Sequence, residues 1–109
     1  MFFPQYEIKI GLYQLRKLQI MALFKLGQNV ATPGALTFFN ENNINPAVLL
    51  ARHQEGDWGD LTIEDTQANV HAIQYDERIL SCYKVDGKKF YVITEWDRSV
   101  TTLLLASEY

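Results

Sequence analysis

Two polar stretches carry the side chains whose types and spacing could do chemistry. In ARHQEGDWGD (residues 51–60), His53 is followed closely by Glu55, Asp57 and Asp60. Histidine is the side chain best able to exchange protons near neutrality, so His53 would act as a general acid or base, oriented by Asp57 or Asp60. A plainer account uses the same residues structurally. Arg52 and His53 complement the negative end of a helix, Gly56 ends it, and the aspartates shape the turn. Trp58, between two Gly-Asp pairs, reads better as a plug over the core than as a ligand platform. In TEWDRSVTT (residues 94–102), Thr94, Glu95, Arg98, Ser99, Thr101 and Thr102 gather around one turn. Such a set could hold a phosphodiester: Arg98 neutralises the phosphate, Glu95 or His53 moves protons, and the hydroxyls donate hydrogen bonds. The plainer account is a polar turn, with Arg98 paired to a carboxylate and the threonines paired across strands. For both stretches the plainer account is preferred.

Metal chemistry has less behind it. His53, Asp57, Asp60, His71 and Cys82 are ligand types, but they follow no HExxH, paired CxxC or EF-hand spacing. The glycines of GDWGDL have acidic neighbours that would repel a phosphate. No metal and no cofactor are expected.

Charge narrows the partners. The chain has 109 residues and a net charge of −3, which disfavours broad electrostatic binding to nucleic acid. Lys9, Arg16, Lys17 and Lys25 form the one basic cluster, read as a solvated helix face. Cys82 is the single cysteine; inside a strand it reads as a small buried apolar residue in a reducing compartment. No apolar run approaches the ~18 residues that span a bilayer, and MFFPQYEIKIG lacks the apolar block of a signal peptide. The expectation is a cytoplasmic protein with no membrane partner.

The elements that must position these residues follow from periodicity and turn chemistry. Asp86-Gly87, between β-branched and aromatic runs, predicts a two-residue type I′ hairpin with Val85 opposite Lys88, Tyr83 opposite Phe90, Ser81 opposite Val92 and Ile79 opposite Thr94. That register sets Ile79, Tyr83, Val85, Phe90, Val92 and Trp96 on one face, and Leu80, Cys82, Lys84, Lys89, Tyr91 and Ile93 on the other. With a return strand at Val100–Leu105, a three-stranded antiparallel meander results. Thr32-Pro33 and Asn45-Pro46 each set a cap before a proline and predict helices over Pro33–Asn40 and Pro46–Gln54. Leu36, Phe39, Val48, Leu49 and Leu50 would face the sheet or each other. Thr62, with Asp65 three residues on, opens a third helix to about Gln74. A helix over about Leu12–Phe24 is slightly preferred to a strand. Met21 could equally be a start, leaving residues 1–20 as an N-terminal extension to a single domain over 21–109. Helices first and an antiparallel sheet after make the fold class α+β.

The runs ATPGAL, LLARHQEGDWGDL, EDTQAN, RILSCYK and VITEWDRSVTTLLLASEY resemble a family of small, largely uncharacterised proteins carried on bacterial plasmids and other mobile elements, some labelled plasmid-related protein. The resemblance covers about residues 21–109. It implies an accessory cargo gene: a small binder that inhibits a host defence system, or a toxin-like enzyme. Two functions follow. The first is a non-enzymatic module occupying the surface of a host- or element-encoded protein, for which Asp57, Trp58, Asp60, Ser99 and Thr101 are candidate contacts and whose acidity could imitate nucleic acid. The alternative is a metal-independent nuclease using His53, Glu95 and Arg98; nucleic acid is a partner only in this case. The nuclease needs His53 and Arg98 on one concave pocket.

Overall fold

Local chemistry sets the element boundaries in the computed structural model, which describes residues 5–9, 11 and 22–109. Helix α1, Pro33–Glu41, begins after extended Thr32 with proline in its first turn. Helix α2, Ala47–Gln54, is capped by Asn45, whose Oδ1 accepts from the Ala47 amide at 3.0 Å. Helix α3, Ile63–Tyr75, opens with the Thr62 hydroxyl accepting from the Asp65 amide at 3.1 Å. It closes on Asp76 in the left-handed region, φ 53°. Asn45 and Thr62 cap as the sequence predicts, whereas the Thr32 side chain makes no cap bond to its own helix. At α1 the carboxylate comes from elsewhere: Glu108, in the terminal 3-10 turn Ala106–Glu108, accepts from the Thr32 hydroxyl at 2.5 Å and the Gly34 amide at 3.1 Å.

The sheet is five-stranded and mixed. Its strands are β1 (Tyr6–Glu7), β2 (Gln28–Ala31), β3 (Ile79–Val85), β4 (Lys88–Thr94) and β5 (Val100–Leu105), in the order β1-β2-β5-β4-β3. The expected meander is present with the expected register, Val85 opposite Lys88 and Ile79 opposite Thr94. Asp86 and Gly87 both have positive φ, 48° and 77°, as a type I′ turn requires. Beyond the meander, β2 lies parallel to β5, and β1 pairs antiparallel with β2. Ile8, just after β1, is buried in the core. Strand β2 escapes a sequence reading because four residues, QNVA, show too little alternation.

The helices cover one face. Phe39, Leu49, Leu50 and Ala72 pack with Ile79, Tyr83, Phe90, Val92 and Leu103, and the rings of Phe38 and Phe39 each lie 5.0 Å from Phe90. Three expectations need correction. Val48 is 56% exposed, because three successive helical residues cannot all face inward and Leu49 and Leu50 take the interior. Trp96 is 64% exposed rather than on the core face. Strand β4 ends at Thr94, and the chain turns where Asp97 Oδ1 accepts from the Ser99 amide and hydroxyl and Arg98 adopts φ 59°. Of the expected helix over Leu12–Phe24, Leu12–Met21 lies outside the described residues, and Ala22–Phe24 is not helical. Among the described residues no helix is long and apolar enough to cross a membrane.

The outer edge of β3 is closed. Cys82 exchanges backbone hydrogen bonds with Trp58 and Asp60 at 2.9 and 2.7 Å. The buried Asn69 amide on α3 brackets Leu80, donating to its carbonyl at 2.6 Å and accepting from its amide at 3.0 Å. An edge strand so occupied offers no template for another chain.

Candidate functional site on the helix-free face

The residues expected to do chemistry separate into three places. His53 has no exposed surface. Its Nδ1 lies 2.5 Å from Ser81 Oγ and its Nε2 2.9 Å from Thr94 Oγ1. Thr94 Oγ1 is 2.7 Å from Thr101 Oγ1, which donates to the Leu26 carbonyl at 2.7 Å. That last bond fixes the direction of the rest, since each hydroxyl has one proton to give. Thr94 donates to Thr101, His53 donates from Nε2 to Thr94, and Ser81 donates to Nδ1. The imidazole is therefore the neutral Nε2–H form. Burial pushes its pKa down to about 3, with Arg98 adding repulsion, so the neutral form persists throughout the physiological range. Phe24 and Trp58 pack edge-on to the ring at 5.1 and 6.0 Å.

Arg98 packs on Phe24 as well, its guanidinium 5.8 Å from the ring centroid. Its N–H groups go to backbone carbonyls: Ala72 at 2.8 Å, Glu77 at 2.6 Å and Glu95 at 3.1 Å. A cation at the carboxyl end of α3 satisfies orphan carbonyls and opposes the helix dipole. Glu95 points to the opposite face of the sheet. His53 and Arg98 both pack on Phe24, each committed to its own hydrogen bonds, and Glu95 pairs with Arg78 beside the groove.

The loop residues are also engaged. Asp57 takes a two-pronged contact from Arg52 at 2.6 and 3.3 Å, which holds its carboxyl below the usual carboxylate range, and Arg52 lies over the Tyr83 ring at 4.4 Å. Asp60 sits 3.8 Å from Lys84. Trp58 is buried and stacked on Phe24, the plug its setting suggested. Ser99 bonds Asp97, and Thr101 is sealed in the hydroxyl chain. Cys82 is buried, which raises its thiol pKa. Among the described residues no three His, Cys, Asp or Glu side chains come together as metal ligands.

The face opposite the described helices is different. Alternation along β4 and β5 turns Ile93, Thr102 and Leu104 to that side, Ile93 and Leu104 buried there, with Tyr91 beside them. Ile93, Thr102 and Leu104 line a groove of about 320 Å³ rimmed by Gln5, Arg78, Glu95 and Tyr109. Arg78 meets Glu95 Oε1 side-on through Nε at 3.2 Å and Nη2 at 3.0 Å. Its Nη1 reaches the Tyr109 hydroxyl at 3.4 Å. The Tyr109 ring stands edge-on to Tyr91 at 5.6 Å, and Lys89 lies 5.5 Å over Tyr91. Of these residues Glu95 and Thr102 figure among the sequence candidates. A signal for the face itself was present: Leu80, Cys82, Tyr91 and Ile93 are too apolar for a simply solvated face, where an antiparallel sheet turns polar residues outward.

Fold and site together define an α+β protein whose described helices cover one face of the sheet and whose other face carries a groove. No protein-family model, curated protein or solved structure matches the chain.

Proposed function

We propose that this chain is a non-enzymatic protein-binding module, an inhibitory accessory of a bacterial mobile element, that engages its partner through the sheet face opposite the described helices. The observation carrying this reading is the groove. Ile93 and Leu104, both buried, floor it between a partly exposed ion pair and an aromatic ring, on a face that none of the described helices covers. Apolar centres with polar, aromatic-rich rims are the usual anatomy of protein contacts. The motif resemblance supplies the accessory, inhibitory setting. The nuclease alternative is less well supported, since a general base must reach the proton it abstracts and His53 is enclosed with both ring nitrogens bonded.

Capture from bacterial lysate tests the proposal if the bait is varied by face. Arg78→Glu and Tyr91→Glu should lose the protein partner that the unaltered chain retains. Gln67→Lys, on the exposed side of α3, should keep it. RNA and DNA incubated with the purified chain should stay intact. Retention by all baits alike, or nucleic-acid cleavage lost in His53→Ala, would overturn the reading.

A further inference from the structure

We infer that the 3-10 turn Ala106–Glu108 is a strap latched by one carboxylate, which opens while the sheet stays folded. Glu108 is the latch, the amino end of α1 is its catch, and Tyr109 is the side chain that the strap positions.

The catch is built without the strap. Thr32 is fully buried; its amide donates to the Leu103 carbonyl at 3.0 Å and its carbonyl accepts from the Leu36 amide at 2.9 Å. Its side chain makes no bond to its own helix, which leaves the hydroxyl to donate to Glu108 Oε1 at 2.5 Å. The Gly34 amide donates to Oε2 at 3.1 Å, and the Leu105 amide at the end of β5 donates to Oε1 at 3.1 Å. Three donors gathered at the amino end of a helix suit a negative charge. Position 34 is shaped for it as well. A Cβ there would come within 2.9 Å of the carboxylate, so glycine leaves the space that the carboxylate takes.

Little else holds the strap. None of its three residues is buried. Tyr109 is 60% exposed; its ring stands edge-on to Tyr91, and its hydroxyl meets Arg78 only at 3.4 Å, a long contact. Segments with few buried contacts open locally at far less cost than global unfolding. The closed strap is still the resting state, because opening it leaves the buried Thr32 hydroxyl without its acceptor. Tyr109 also rims the groove, so the latch decides whether that rim is complete. Only this consequence rests on the reading that the groove's face binds protein.

Two variants open the latch from opposite sides. Glu108→Ala removes the carboxylate, and Gly34→Ala drives it off with a methyl group while placing a better helix former in α1. The readout is ¹⁵N spectroscopy of the full chain. In the unaltered protein the Leu105 amide should exchange at least about tenfold faster than those of Phe90 and Val92, through an opening insensitive to low urea. In both variants Leu105 should exchange faster still and the Tyr109 amide should gain nanosecond motion, while the shifts of Phe90 and Val92 stay in place. Three results would overturn the inference: Leu105 exchanging with the rate and urea dependence of Phe90 and Val92, Tyr109 as ordered in both variants as in the unaltered chain, or a Glu108→Ala chain that does not fold. If the strap stays shut while Arg78→Glu still loses the partner, the inference alone falls. If the strap opens but capture ignores Arg78→Glu and Tyr91→Glu, the proposed function alone falls.

Discussion

On the covered face of the sheet, the hydroxyls of Ser81, Thr94 and Thr101 and both nitrogens of His53 are paired within one buried chain. On the opposite face, Arg78 and Glu95 also pair, yet each keeps hydrogen-bonding capacity and a share of solvent. The same residue types therefore stand in opposite conditions. Inside, a histidine flanked by hydroxyls imitates an active site in sequence while serving to satisfy the core. Outside, an ordinary arginine–glutamate pair retains what recognition needs. The covered face has its own shortfall: Asn29 Oδ1 and Gln54 Oε1 are buried without a partner, each costing ~1–3 kcal/mol. Burial and spare valence together separate a framework residue from a functional one.

Breaking the inner chain should give the largest effects. His53→Ala removes a fully buried ring and strands Ser81 and Thr94, so urea unfolding should show a loss of ~3–5 kcal/mol. A midpoint near that of the unaltered protein would place His53 outside the framework. Gly59→Ala should cost as much or more, because an added Cβ would collide with the Cys82 carbonyl and Gly59 sits at φ 72°. Gly87, at φ 77° with open space around it, should show only the backbone cost on the same change, ~1 kcal/mol. Equal losses at the two glycines would mean that the Trp58–Asp60 segment does not lie against β3.

The pH dependence sharpens the comparison at an intermediate scale. His53 binds its proton more weakly folded, near pKa 3, than unfolded, near the usual 6.5. The unfolded chain thus binds more protons between those values, and this contribution, full above about pH 6.5, is lost as pH falls toward 3. The slope contributed by this one group approaches ~1.4 kcal/mol per pH unit. Unfolding free energy measured from pH 7 to 4.5 should show it, and His53→Gln should flatten it. Asp57, whose carboxyl is held low by Arg52, adds its loss only below its unfolded value near 3.8. The smallest effect belongs to the opposite face: Arg78→Gln should change stability by no more than ~0.5 kcal/mol, since partly exposed ion pairs contribute little. A larger loss would make the groove a structural element.

How much of this was legible in the sequence depends on range. The hairpin register followed from Asp86-Gly87 alone, because a two-residue turn admits one pairing and slippage would turn Phe90 and Val92 outward. The caps at Thr62 and Asn45 were legible for the same local reason. Strand β2 was not, since its partner Val100–Leu105 lies about seventy residues away and four residues carry little pattern. The candidate site failed differently. His53, Glu95 and Arg98 have the right chemistry for catalysis, but His53 and Arg98 are each committed to their own hydrogen bonds and Glu95 pairs with Arg78. Arg78 and Tyr109 gave no local signal, because a groove across strands is a property of the assembled sheet.

Strand β5 joins β2 on one side and β4 on the other, and the other described strands all precede it in the chain. During synthesis on the ribosome, β1–β2 and the β3–β4 hairpin emerge as two half-sheets, each with an open apolar margin and no hydrogen bond to the other. Until Val100–Leu105 leaves the exit tunnel nothing can weld them, and the newborn chain must wait with its centre missing. Its period of greatest exposure to chaperones and proteases is therefore the interval before β5 appears.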